Sequence, residues 1–148
     1  MKIRDIISKE VISCKSDSSI YEVAKLMKEN NIGFIPIVDD EIMGVITDRD
    51  IVVKCVFNKD ECIKSYITSN VISIDEDEDV ISALDLMGKK KVKRLIVTKE
   101  DKLVGILSIS DILNSEIDND KLIDTLKTIY ELKDNKINDN AEIDEFYL

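Results

Sequence analysis

Thr47, Asp48, Arg49 and Asp50, and again Ser108, Ile109, Ser110 and Asp111, put a hydroxyl residue three positions ahead of an aspartate. Each set follows a short apolar run rising from a glycine, Gly44-Val45-Ile46 or Gly105-Ile106-Leu107, and leads into a helical pattern starting at Ile51 or Ile112. Such a strand-to-helix junction admits two chemistries. In a capping box the hydroxyl accepts from the amide of the third helical residue, and the acid reaches back to the cap amide. In a polyhydroxy or phosphate site, free amides and the positive helix end attract an anion while the aspartate accepts from ligand hydroxyls. A single copy is explained by the cap alone; the repetition adds weight to the ligand.

Other chemistries have little to stand on. The 148 residues contain no histidine, which removes the commonest general base, transition-metal ligand and triad partner. Cys14, Cys55 and Cys62 form no C-x-x-C, and their odd number suits a reducing compartment. Cys14 falls in a strand-like run and Cys55 in a helical one, so both are expected in the core. No metal site is expected. With four glycines, no glycine-rich phosphate loop and no paired acids in a cleft context, an enzyme is not expected and no catalytic residue is assigned.

Net charge is −10, which argues against a nucleic-acid partner recognised through its phosphates. From Ser115 onward ten acids face four lysines, so that stretch carries −6 and the preceding 114 residues only −4. A local anion site remains compatible with that balance. No apolar run approaches the about 18 residues of a membrane span, and no signal peptide is visible. The protein is expected to be soluble and cytoplasmic, with no membrane partner.

The elements that position the two junctions repeat as well. At an offset of 60, Ile3/Ile63, Ile7/Ile67, Val11/Val71, Ile12/Ile72, Ser13/Ser73, Leu26/Leu86 and Met27/Met87 coincide; an insertion near Glu100-Asp101 then shifts the offset to 61. Each half opens on a short amphipathic piece, Ile3 to Ile7 or Ile63 to Ile67. A brief strand follows, Val11 to Cys14 or Val71 to Ile74. Ser19 with Glu22, and the acids Asp75 to Asp79, suit helix starts. Ile20, Val23, Ala24, Met27 and Val80, Ala83, Leu84, Met87 then have the spacing of a core-facing helical stripe. Two strands joined by a short polar loop close each half: Phe34 to Val38 with Ile42 to Thr47, and Arg94 to Thr98 with Leu103 to Ser108. The last strand runs into a helix near Asp48 to Phe57 or Ile109 to Glu116. The fold class is therefore α/β (α+β): two β-α-β-β-α repeats, residues 1–57 and 61–115, which should pack face to face because neither buries much alone.

Residues 116–148 stand outside the repeat. Leu122, Leu126, Ile129 and Leu132 give an amphipathic helix over Asp118 to Lys133. Beyond Asp134 the composition predicts disorder or loose docking, with Phe146-Tyr147-Leu148 as a small hook. This acidic stretch is expected to be an appendage, dispensable for folding after truncation at Asn114.

A tandem β-α-β-β-α repeat with V-I-S near the start of each copy, and G-V-I-T-D-R-D-I or G-I-L-S-I-S-D-I at its end, resembles a pair of CBS (cystathionine-β-synthase) domains, a Bateman module. The resemblance covers residues 1 to 115 and implies pseudo-two-fold packing with clefts for adenosyl compounds such as AMP, ADP, ATP, S-adenosylmethionine or cyclic di-AMP. On that likeness Asp50 and Asp111 would take ribose hydroxyls, with Thr47, Ser108 and Ser110 adding ribose or phosphate contacts. Lys93 and Arg94 would face phosphate, and the strands around Ile12 and Ile72 would offer backbone to the adenine edge. The first copy departs from the pattern: Phe34 stands where Arg94 does, and Arg49 is the candidate substitute. The resemblance implies a regulatory homodimer that needs no cofactor, senses an adenine nucleotide and signals to a protein partner. A scaffold with degenerate sites, where S/T-x-x-D only caps helices, is the alternative.

Overall fold

Ser19 opens the first helix as its spacing predicts. Its side chain accepts from the Glu22 amide at 3.1 Å while Glu22 accepts from the Ser19 amide at 2.8 Å. The computed structural model describes residues 1–131. The expectations for Leu132, the stretch beyond Asp134 and Phe146-Tyr147-Leu148 lie outside them. Two compact units are present: the first comprises Glu10–Ile72 with Glu100–Leu103, the second Met1–Lys9, Ser73–Lys99 and the chain from Val104 on.

In the first unit, helix α1 (Ile20–Asn30) buries Val23 and Met27 and ends on Asn31 in the left-handed conformation. Strands β1 (Phe34–Val38) and β2 (Ile42–Thr47) pair antiparallel with Phe34 opposite Thr47. Helix α2 (Asp48–Asp50) continues as a π-helical segment over Ile51–Val56. Val23, Met27, Ile35, Ile37, Ile46, Ile51, Cys55 and Ile63 form the core. Burial pushes the Cys55 thiol up, with the Asp50 carboxylate adding to the shift, and burial likewise raises Cys14. Neither thiol is poised as a nucleophile.

In the second unit, β3 (Ser73–Asp75) pairs parallel with β4 (Arg94–Lys99), and β5 (Lys102–Ser108) lies on the far side of β4. Helix α3 (Val80–Lys90) is capped by Asp79, whose carboxylate accepts from the Ile81 amide at 2.9 Å. The predicted stripe Val80, Ala83, Leu84, Met87 is wholly buried. Helix α4 spans Ile109–Leu113 and helix α5 Asn119–Ile129. Glu100 and Asp101, at φ 48° and 61°, make the β4–β5 turn. Positive φ at both central residues matches a tight hairpin to strand twist, and this turn holds the residue by which the second copy is longer.

Four expectations need correction. The early strand of the first copy, expected over Val11 to Cys14, is reduced to one parallel bridge from Cys14 to Ile37. There the Cys14 amide donates to Pro36 O at 3.1 Å and the Val38 amide to Cys14 O at 2.9 Å. The next rung would need an amide hydrogen on Pro36, which proline lacks. Its counterpart Ile96 has one, and Ser73 pairs with it.

The opening pieces are also exchanged. Ile7-Ser8 lies against β5 through a Ser8–Ile106 bridge, in the unit of the second copy. The equivalent Ile67-Thr68 lies against β2, where Val45 and Thr68 exchange amide bonds of 3.0 and 2.9 Å. Each hairpin thus has its outer edge covered by a segment that the repeat assigns to the other copy, a way of protecting unpaired strand edges.

The stretch after Ser115 is not a mere appendage. Leu122 is 2% exposed and Thr125 5%. The methyls of Thr125 and Thr128 come within ordinary contact distance of the space above Gly88 on α3. Lys121 pairs with Asp85. Truncation at Asn114 would uncover that face of α3. Finally, α5 begins at Asn119 and ends at Ile129, shorter than the periodicity suggested.

Lys91, the counterpart of Asn31, also sits in the left-handed region at φ 54°. Asparagine tolerates that conformation and lysine does not, while an exposed ion pair such as Lys91–Glu131 at 3.5 Å contributes little. Lys91→Gly is expected to stabilise the protein by about 1 kcal/mol, a rise in Tm of about 2–4 °C. A thermal melt showing no gain would sink this reading of the helix end.

Candidate functional site

Both S/T-x-x-D junctions fold as the spacing requires. In the first unit the Thr47 hydroxyl accepts from the Asp50 amide at 3.2 Å, and Asp50 Oδ2 accepts from the Thr47 amide at 3.0 Å and hydroxyl at 2.9 Å. In the second unit Ser108 and Asp111 do the same at 3.3, 2.8 and 2.6 Å. The capping box is therefore real in both copies. It occupies only one carboxylate oxygen in each.

The fate of the other oxygen distinguishes the units. Asp50 Oδ1 is 3.2 Å from the Lys54 ammonium, with the Asp50 side chain only 14% exposed. At the equivalent place the second copy has Ser115, whose hydroxyl turns back to Ile112 O at 2.6 Å. Among the described residues nothing donates to Asp111 Oδ1. Lys54 was missed in the sequence reading, although an aspartate four residues before a lysine on a helix is a recognisable pairing signal.

Two backbone bonds align the copies in space. The Asp48 amide donates to Gly33 O at 3.0 Å, and the Ile109 amide to Lys93 O at 3.1 Å. Phe34 and Arg94 therefore begin equivalent strands, and Arg49 and Ser110 occupy equivalent helical positions. At these two positions each unit has one arginine, Arg49 at the helical position of the first and Arg94 at the strand position of the second. Arg94 is exposed at the head of β4, and Arg49 is half-buried with its amide bonded to Asp48 Oδ1 at 2.8 Å. Ser110 Oγ lies 2.7 Å from Ser108 Oγ, which adds a second hydroxyl to the Asp111 cluster.

Gly33 has a steric role at this junction: a Cβ there would come 2.6 Å from Asp48 Oδ2. The first site thus gathers Asp48 and Asp50 with Arg49 and Lys54, a balanced set. The second has Ser108, Ser110 and Asp111 beside the backbone of Lys93, with Arg94 the next residue along β4. Lys93 is not aimed into open space; its ammonium lies 5.4 Å from the centroid of the Tyr130 ring. Tyr130 was invisible as a site residue in the sequence, since nothing local links it to position 93. Ile12 lies outside any strand, and Ile72 immediately precedes β3. Among the described residues no helix is long and apolar enough to cross a membrane.

Comparison with known proteins adds the following. The family described as CBS domain matches residues 3–56 and 63–118. The Bacillus subtilis (strain 168) protein YlbB is 34% identical over 136 residues, covering 88% of this chain and 92% of YlbB. The inosine-5′-monophosphate dehydrogenase of Methanocaldococcus jannaschii is 36% identical over 115 residues, but these span 76% of this chain and only 23% of that enzyme. The CBS domain pair of protein MJ0100, solved with 5′-methylthioadenosine and S-adenosyl-L-methionine, is 34% identical with a TM-score of 0.69. It covers 76% of this chain and 93% of that one.

Proposed function

The chain belongs to the CBS-domain family, with one domain over residues 3–56 and a second over 63–118, and on that premise we propose that it is a regulatory module binding adenosyl ligands of the AMP, ADP or ATP kind. Ligand occupancy would be passed to a protein partner. The observation that carries this is Asp111: the cap consumes Oδ2 and leaves Oδ1 to accept from a ligand hydroxyl, so capping and binding are compatible. The bound adenosyl compounds of the MJ0100 pair support the ligand class. The same compounds favour a second reading, an S-adenosylmethionine sensor, in which the sulfonium rather than phosphate meets the site. Calorimetric titration with ATP, AMP and S-adenosylmethionine separates the two, and binding of none of them would return the protein to a nucleotide-independent scaffold.

The module is further proposed to act as a homodimer. Val52, Val56 and Phe57 are 65%, 62% and 81% exposed on the helical segment after Asp50, more apolar surface than a solitary helix face normally shows. A symmetric interface would bury more than about 1,000 Å². Sedimentation at tens of micromolar should give twice the chain mass; a monomer with and without nucleotide would refute it.

A further inference from the structure

We propose that Tyr130 sets the ligand preference of the second site by holding Lys93 away from it, an inference that rests on the adenosyl-ligand reading above. Lys93 is tied to the site by its backbone, because its carbonyl accepts from the first amide of α4, one residue after Ser108. Its side chain begins at the edge of the Ser108–Asp111 cluster, yet its ammonium rests over the ring of Tyr130. Among the described residues no carboxylate pairs with it. The ring is what fixes it.

Tyr130 is well placed to do so. Its amide donates to Leu126 O at 2.9 Å, closing the end of α5. That helix is anchored on α3 by buried Leu122, by the close approach of Thr125 and Thr128 to Gly88, and by the Lys121–Asp85 pair. The neighbouring Glu131 draws Lys91 at 3.5 Å. The end of α5 therefore engages two cations of the run Lys89 to Arg94, one through a π face and one through a carboxylate.

The consequence depends on the ligand. A polyphosphate gains from Lys93 only by drawing its ammonium off the ring, so the cation–π contact is lost on binding and opposes it. An adenosyl ligand without phosphate has no use for Lys93 and leaves the contact in place. Tyr130 thus weakens nucleotides selectively and narrows the gap to uncharged adenosyl compounds. A cation–π contact of this exposure corresponds to about a two- to five-fold change in affinity.

The test uses the full chain with ATP and 5′-methylthioadenosine as calorimetric probes. Tyr130→Leu keeps apolar bulk and Tyr130→Ala removes it; both should tighten ATP about two- to five-fold and leave 5′-methylthioadenosine unchanged. Tyr130→Phe keeps the π face and should match the wild type. In a Lys93→Ala background the Tyr130→Leu effect should vanish. Independently of any ligand, the Lys93 ε-methylene proton signals should lose their ring-current shift in Tyr130→Leu. ATP affinity unchanged or weakened in both the Leu and Ala variants overturns the proposal, as does an equal shift for both probes. Wild-type protein that binds neither probe overturns the adenosyl reading instead, with the ring-current result still reporting whether the contact exists.

Discussion

Asp111→Ala is expected to weaken nucleotide binding at the second site by about ten- to a few-hundred-fold. The estimate follows from charge-assisted hydrogen bonds worth about 1.5–3 kcal/mol each, with about 1.4 kcal/mol per factor of ten. The variant also loses the bonds from the Ser108 amide and hydroxyl, so it should melt lower by about 1 kcal/mol of capping energy whether or not a ligand binds. Asp111→Asn separates the two effects, since an amide oxygen still accepts from the Ser108 amide but carries no charge. Asp50→Ala should cost less affinity than Asp111→Ala. Asp50 already spends Oδ1 on Lys54, so less of its carboxylate is left for a ligand hydroxyl. Arg94→Ala should reduce affinity for ATP more than for 5′-methylthioadenosine. Calorimetry on these variants decides the matter: nucleotide affinity unchanged in all of them, beside a small loss of Tm, would leave the S/T-x-x-D motif as a helix cap only.

Gly44→Ala should cost about 3–5 kcal/mol, the sum of a strained backbone and an overpacked contact. Gly44 has φ 156°, and a Cβ there would stand 2.4 Å from Thr68 O and 2.5 Å from Ile67 Cγ2. The carbonyl belongs to the bridge with Val45, so it cannot withdraw without breaking that pairing. Gly105 occupies the matching place, but an added Cβ would first meet Ile7 Cδ1 at 2.6 Å, the movable end of a side chain, and Ser8 O only at 3.3 Å. Gly105→Ala should therefore cost about 1–3 kcal/mol. Chemical denaturation of the two variants tests the ranking; equal losses, or a loss below about 1 kcal/mol at Gly44, would show that the covering segment is not held as described.

The glycine at the head of G-V-I-T and G-I-L-S was legible as part of a motif, but its purpose was not. It is there to admit Ile67-Thr68 or Ile7-Ser8, and no local pattern says which copy supplies them. The α3 stripe, both capping boxes and the inserted residue at Glu100-Asp101 were legible, because each depends on residues a few positions apart; in the α1 stripe Val23 and Met27 are buried but Ala24, expected in the core, is exposed. Pro36 was legible too, yet its effect on the strand at Cys14 requires knowing which edge of β1 that strand joins. The pairs Lys93–Tyr130 and Asp85–Lys121 join residues 37 and 36 positions apart and leave no periodic trace. The same holds for Leu122, whose burial follows from α3 being its neighbour rather than from its own helix.

The exchanged opening segments also impose an order on synthesis. Val45 meets Thr68 after a separation of 23 residues, whereas Ser8 must wait for Ile106, 98 residues further along the chain. At ribosomal rates of about 5–20 residues per second, Ser8 waits roughly 5–20 s for its β5 partner, whereas Lys2, Ile3 and Arg4 meet Asp79, Glu78 and Glu76 earlier. The β2 edge can be covered during translation, while the β5 edge is covered only once nearly the whole module has been synthesised. The segment around Ser8 is thus made long before the β5 edge it covers, and a nascent-chain chaperone would meet it exposed.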